Sequence, residues 1–82
     1  MKNGVTALHL VETVEEAKKL IEAGADVNAK DERGNTPLHF IESVEIAKLL
    51  IEAGADITAK DWFGFIPADI ARDDELEKLL TP

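Results

Sequence analysis

The sequence predicts an all-α solenoid: helix-turn-helix units stacked side by side and joined by hairpin loops. Three observations predict it. Gly4, Gly34 and Gly64 stand 30 residues apart (34 − 4 and 64 − 34). Residues 4–33 and 34–63 align without a gap and agree at 19 of 30 positions, and 64–80 begin a third, diverged copy. The helix-start and helix-stop residues fall at the same places in each full copy. A fixed period of this size marks a supersecondary unit that cannot bury its apolar face alone and so stacks on its neighbours. Such chains usually offer a surface rather than perform chemistry.

The middle copy shows the elements most clearly. Thr36 precedes Pro37, which loses nothing at a first helical position for want of an N–H. A short helix is expected over residues 37–42, with Thr36 as its cap. Ser43 then caps a second helix over residues 44–53, and Gly54 ends it in a left-handed conformation. In the first copy Thr13 takes the capping place, and Glu16 three residues on completes a capping box. A polar stretch over 25–31 follows, and Asp31-Glu32-Arg33-Gly34 reads as a tight turn with Gly34 supplying positive φ.

On these residues the chain resembles the ankyrin repeat family. Gly34-Asn35-Thr36-Pro37-Leu38-His39 is similar to the family's repeat opening, and residues 45–56 (EIAKLLIEAGAD) to its second helix and following turn. The resemblance covers about residues 4–80. It implies helix pairs stacked into a short solenoid, and a non-catalytic role in binding another protein. One departure is systematic: ankyrin repeats usually run to about 33 residues, and these run to 30. The missing residues fall between His39 and Glu45, and again between His9 and Glu15. A deletion shared by every layer preserves stacking, but it should shrink the face of the first helices.

The outer copies change where the middle one is apolar. Ile46 and Leu49, three apart on one helix face, become Glu16 and Lys19 in the first copy. In the third, Leu76 and Leu79 keep that face, while Ala47 and Ile51 become Glu77 and Thr81. Polar substitution on the outward side is what terminal capping repeats require. The expectation is one domain, 1–82, with an N-terminal capping repeat at 4–33, a middle repeat at 34–63 and a C-terminal capping repeat at 64–82. The third copy also replaces Thr36 and His39 together, by Ile66 and Asp69, which assigns Thr–His hydrogen bonding to the full repeats.

Composition narrows the function. At 82 residues the chain buries only about 60–65% of the surface its unfolded form exposes, so modest stability is expected. A net charge of −8 argues against nucleic acid and anionic membranes as partners and leaves a basic protein open. Without cysteine there is no disulfide framework, thiol nucleophile or thiolate metal site, which fits an intracellular, cytoplasmic setting. No apolar run approaches the ~20 residues of a membrane span, and residues 1–3 do not read as a signal peptide.

Nothing assembles a catalytic centre or calls for a cofactor. His9 and His39 sit one repeat apart and read as braces of their repeat openings rather than metal ligands. Ser43 and His39 are explained by capping and by the repeat motif. Glu15 with Lys18 and Lys19, Glu45 with Lys48, and Glu75 with Lys78 are ordinary helix-surface pairs. Asn28, in the setting Leu20-x5-Asp26-Val27-Asn28, is similar to the site that asparaginyl hydroxylases modify in animal ankyrin repeats; the plainer reading is a loop-stabilising residue.

The sharper feature is Trp62-Phe63-Gly64-Phe65. Its counterparts in the preceding turn are Glu32, Arg33 and Asn35, all polar. The resemblance places these positions at the hairpin tips, where ankyrin-like proteins commonly meet their partners. Aromatic residues bury large area at small entropic cost, which makes Trp62, Phe63 and Phe65 candidate anchors. Lys30 and Lys60 would add positive charge beside the tips, and Glu32, Arg33 and Asn35 would set specificity. The alternative is that the rings fold back over Ala68, Ile70 and Ala71 and complete the core. Two further functional alternatives are a dimer paired through the aromatic tip, with a monomer favoured, and an acidic decoy for a basic protein.

Overall fold

The computed structural model describes residues 4–82. Among them it contains a single 3-10 turn, Ala7–Leu10, and five α-helices: α1 Val14–Glu22, α2 Pro37–Phe40, α3 Val44–Glu52, α4 Pro67–Ile70 and α5 Asp74–Leu80. Short elements pack on short ones, the 3-10 turn against α2 and α2 against α4. Long helices pack on long ones, α1 against α3 and α3 against α5. The chain is therefore a two-layered helical stack in which packing runs between consecutive repeats.

The first helices are shorter than the sequence pattern implies. The helix expected over residues 37–42 stops at Phe40, because Ile41 adopts an extended conformation (φ −79°, ψ 134°). Val11 and Ala71 do the same in the outer repeats. The extended residue drops its side chain inward, leaving Ile41 6% exposed, and brings Ser43 at once into place to cap α3. The three residues missing from each repeat are thus taken from the first helix and the turn after it.

The second helices start and stop as their end residues dictate. The Glu16 N–H donates to Thr13 Oγ1 at 3.1 Å and the Ile46 N–H to Ser43 Oγ at 3.3 Å. The capping box in the first repeat is offset from the expected form. Glu16 Oε1 accepts from the N–H of Glu12 at 3.5 Å and from the Thr13 hydroxyl at 3.3 Å, rather than from the Thr13 N–H. At the other end of α3, Gly54 stands at φ +103°. Its N–H reaches the Ile51 carbonyl at 3.0 Å and the Ala55 N–H reaches the Leu50 carbonyl at 2.9 Å, the paired closure that satisfies the last free carbonyls of a helix. Ala53, which the pattern includes in the helix, is its C-terminal cap.

Leu8, Leu38, Leu50, Leu76 and Leu80 form the centre of the core with fully buried Ala17 and Ala47. The outward faces carry the polar residues: Glu16 and Lys19 are exposed where Ile46 is buried, and Glu77 and Thr81 are exposed where Ala47 is buried or Ile51 half-buried. Among the described residues no helix is long and apolar enough to cross a membrane.

Candidate protein-binding face

Each tip is built around an aspartate. Asp31 Oδ1 accepts from the N–H groups of Arg33 at 2.8 Å and Asn35 at 2.9 Å, and the Asp31 N–H donates to the Asn35 carbonyl at 3.0 Å. Asp61 repeats this with Phe63 and Phe65, both at 2.9 Å. Burial works to raise the Asp31 pKa, but the donors at Asn35 and Arg33 outweigh it and hold the carboxyl below its ordinary range. Consecutive tips nest, with the Trp62 N–H donating to the Arg33 carbonyl at 2.7 Å. Gly34 permits this approach. A Cβ built there would stand 3.2 Å from the Trp62 nitrogen, and the backbone already sits at φ +79°.

The histidines hold the tips from below. Thr36 N–H donates to His39 Nδ1 at 3.0 Å, and the Thr36 hydroxyl lies 3.0 Å from the same nitrogen. The bond that closes this helix start is thus made by the imidazole, not by the threonine hydroxyl alone. Nε2 of His39 lies 2.9 Å from the Phe65 carbonyl oxygen. A carbonyl can only accept, so the ring carries its proton on Nε2. His9 repeats the arrangement with Thr6 and the Asn35 carbonyl, the latter at 2.8 Å. In the third repeat Asp69 Oδ2 takes over the acceptor role toward the Ile66 N–H at 3.0 Å. Asp69 keeps the local bond, and its carboxylate has no counterpart of the histidine's forward donor.

The aromatic residues of the second tip face outward. Trp62 is 76% exposed, Phe63 73% and Phe65 46%, so none folds back to complete the core. The Trp62 and Phe63 rings lie 6.5 Å apart between centroids and tilted at 57°. Beside them Glu32, Arg33, Lys30 and Lys60 are exposed, while Asn35 is half-buried and directs its amide to Asp31 at 3.4 Å. The structure gathers Glu32, Arg33, Trp62, Phe63 and Phe65 on two adjacent tips. The charge of Lys30 also acts on Asp56, whose carboxyl is held low first by the Thr58 hydroxyl and N–H and then by this lysine.

A second apolar feature is not anticipated by the sequence pattern. Leu10, Phe40 and Ile70, one repeat apart, are 68%, 39% and 39% exposed at the ends of the short first helices. Phe40 turns its ring onto His9, 5.3 Å between centroids and edge-on at 61°. An apolar residue at the same place in all three copies was the available signal, since an exposed position needs none. Asn28 also has a definite task. Its amide donates to the Gly54 carbonyl at 3.1 Å and its Oδ1 accepts from the Asp56 N–H at 2.7 Å, stapling the first inter-helix loop to the second.

Fold, opening motif and inter-repeat histidine bonds together define a stacked-repeat scaffold. The chain belongs to the ankyrin repeat family: the family model for ankyrin repeats in three copies matches residues 1–61. Members of this family are generally non-catalytic modules of protein–protein interaction. The match stops at the base of the second tip, before the third repeat in which threonine and histidine of the opening are replaced. No curated protein matches the chain.

Proposed function

We propose that this chain binds a partner protein through its tips and the adjoining face of the first helices, with Trp62, Phe63 and Phe65 as anchors. The exposure of these three rings on a fixed turn is the observation that carries the reading. Their backbone is pinned by Asp61, by the Arg33 carbonyl and by His39, so little freedom remains to be lost on binding. Exposed aromatic rings on a small acidic protein are otherwise a liability for solubility. Glu32 and Arg33 on the neighbouring tip, with Asn35, Lys30 and Lys60 around them, would set register.

The test is quantitative capture of interacting proteins with the parent chain and with Trp62→Ala, Phe63→Ala and Phe65→Ala, each checked for unchanged helical content. An anchor is expected to lose about 2 kcal/mol or more of affinity toward the captured partner. Losses under about 0.5 kcal/mol at all three rings would overturn the assignment. Dissolution of a dimer by the same changes would instead assign the tip to self-association.

A further inference from the structure

The first-helix face carries two equivalent grooves, one between the first and second repeats and one between the second and third, and their charges differ. The first has a volume of about 690 Å³ and is lined by Leu10, Val11, Phe40 and Ile41 on its apolar side and by Glu12 and Glu42 at its edge. No lysine or arginine lines it. The second, about 230 Å³, is lined by Phe40, Ile41, Glu42, Ile70 and Arg72. There the guanidinium of Arg72 lies 3.7 Å from Glu42 Oε2, and the two charges offset each other. Positions 12, 42 and 72 are one repeat apart, so a row of like charge along this face reverses sign at the third repeat.

We infer that the first groove takes a basic, apolar segment of the partner protein, its lysine or arginine residues set against Glu12 and Glu42. Three features argue for this occupant. The exposed apolar floor of Leu10 and Phe40 suits aliphatic residues and the methylene stems of lysine and arginine. The two edge carboxylates suit their cationic heads and repel an acidic segment. The chain's net charge of −8 favours the approach of a basic partner over any other. Arg72 gives the segment a direction, since its cations are welcome over the first two repeats and not over the third. This inference rests on the binding-module reading and adds the chemistry of what is bound.

The test is calorimetric titration of the full chain with three capped peptides: an amphipathic leucine–lysine helix, its leucine–glutamate counterpart, and a serine–lysine peptide of equal charge. Binding of the leucine–lysine peptide alone is expected, weakening as salt rises. The double change Glu12→Gln, Glu42→Gln lies at exposed positions and should weaken it by about tenfold. Phe40→Ala should weaken it too, with circular dichroism to verify folding. Arg72→Gln should tighten it, because Glu42 is released and a repulsive charge is removed. Equal binding of the glutamate peptide, equal binding of the serine peptide, no binding at all, or indifference to the glutamine changes would each overturn the inference. Trp62→Ala, Phe63→Ala is run in parallel. Loss there with the groove changes silent would refute the groove and leave the tip reading standing. Loss at the groove with the tip silent would do the reverse for this peptide.

Discussion

His39 Nε2 donates to the carbonyl oxygen of Phe65 across 2.9 Å of space and 26 residues of chain. The first helix of the middle repeat thereby holds the turn, at its junction with the third repeat, that presents the aromatic residues. Because His9 makes the same bond to Asn35, the tips are fixed from the core as well as by their own aspartates. The Trp62–Phe65 segment is exposed and ordered for the same reason.

Cutting this bond should destabilise the stack. His39→Asn keeps a side-chain oxygen for the Thr36 N–H, as the Asp69 carboxylate does for Ile66, but is too short to reach Phe65. The expected cost is about 2 kcal/mol, part of it lost packing. Urea unfolding followed by circular dichroism reads it, and an unchanged midpoint would show the bond to be dispensable.

Asn28 makes the second inter-repeat tie. Asn28→Ala removes both its bonds, to the Gly54 carbonyl and from the Asp56 N–H. The site is exposed and water can replace them in part, so a loss of about 1 kcal/mol is expected in the same assay.

Two glycines with nearly the same backbone should answer differently to alanine. Gly24 stands at φ +92° with nothing within 4 Å of an added methyl, whereas Gly34 stands at φ +79° with the Trp62 nitrogen at 3.2 Å and Asp61 Cα at 3.3 Å. Gly24→Ala should cost only the left-handed strain, about 1 kcal/mol. Gly34→Ala adds separation of the nested tips and should cost more, visible as a lower melting temperature and faster amide exchange at Trp62.

Stability should fall on acidification through the tip aspartate. Asp31 has a folded pKa below its ordinary value of 3.8. The folded state therefore prefers the charged form, and the stabilisation is complete above about pH 5 and lost as pH falls through the folded pKa. Asp31→Asn should melt lower than the parent at neutral pH, and the gap should close in acid. A gap independent of pH would show that the charge is not the contributor.

The polar outer faces should govern association between copies. Glu16→Ile with Lys19→Leu restores on the first repeat the apolar face that the middle repeat presents. Its mass by light scattering should rise with concentration more steeply than that of the parent. Equal curves would mean that Glu16 and Lys19 do not act as a cap.

Much of the fold was legible because its signals are local and recur. The caps at Thr13 and Ser43, the stop at Gly54 and the turn at Gly34 each depend on a few neighbouring atoms, and the period repeats them. The length of the first helix was not legible. Ile41 is apolar and continues the helical pattern, but tertiary burial of its side chain selects an extended backbone that propensity does not encode. At the candidate site, composition located the aromatic tip but left its direction open, because a ring that packs inward and one that waits outside look alike in sequence. Phe40 was missed because an apolar residue within one repeat does not declare which way it faces; at the end of its short helix it stands 39% exposed.

The forward-reaching histidine also makes the molecule extensible. His39 addresses a main-chain carbonyl, which every residue possesses, and residues 34–63 both offer such a carbonyl at Asn35 and carry the next donor at His39. A duplicate of that segment could be spliced after residue 63 with each histidine meeting an oxygen and each tip resting on the one before. The surface offered to a partner could then lengthen in whole-repeat increments, by gene duplication or by design, without a new polar atom being stranded in the interior.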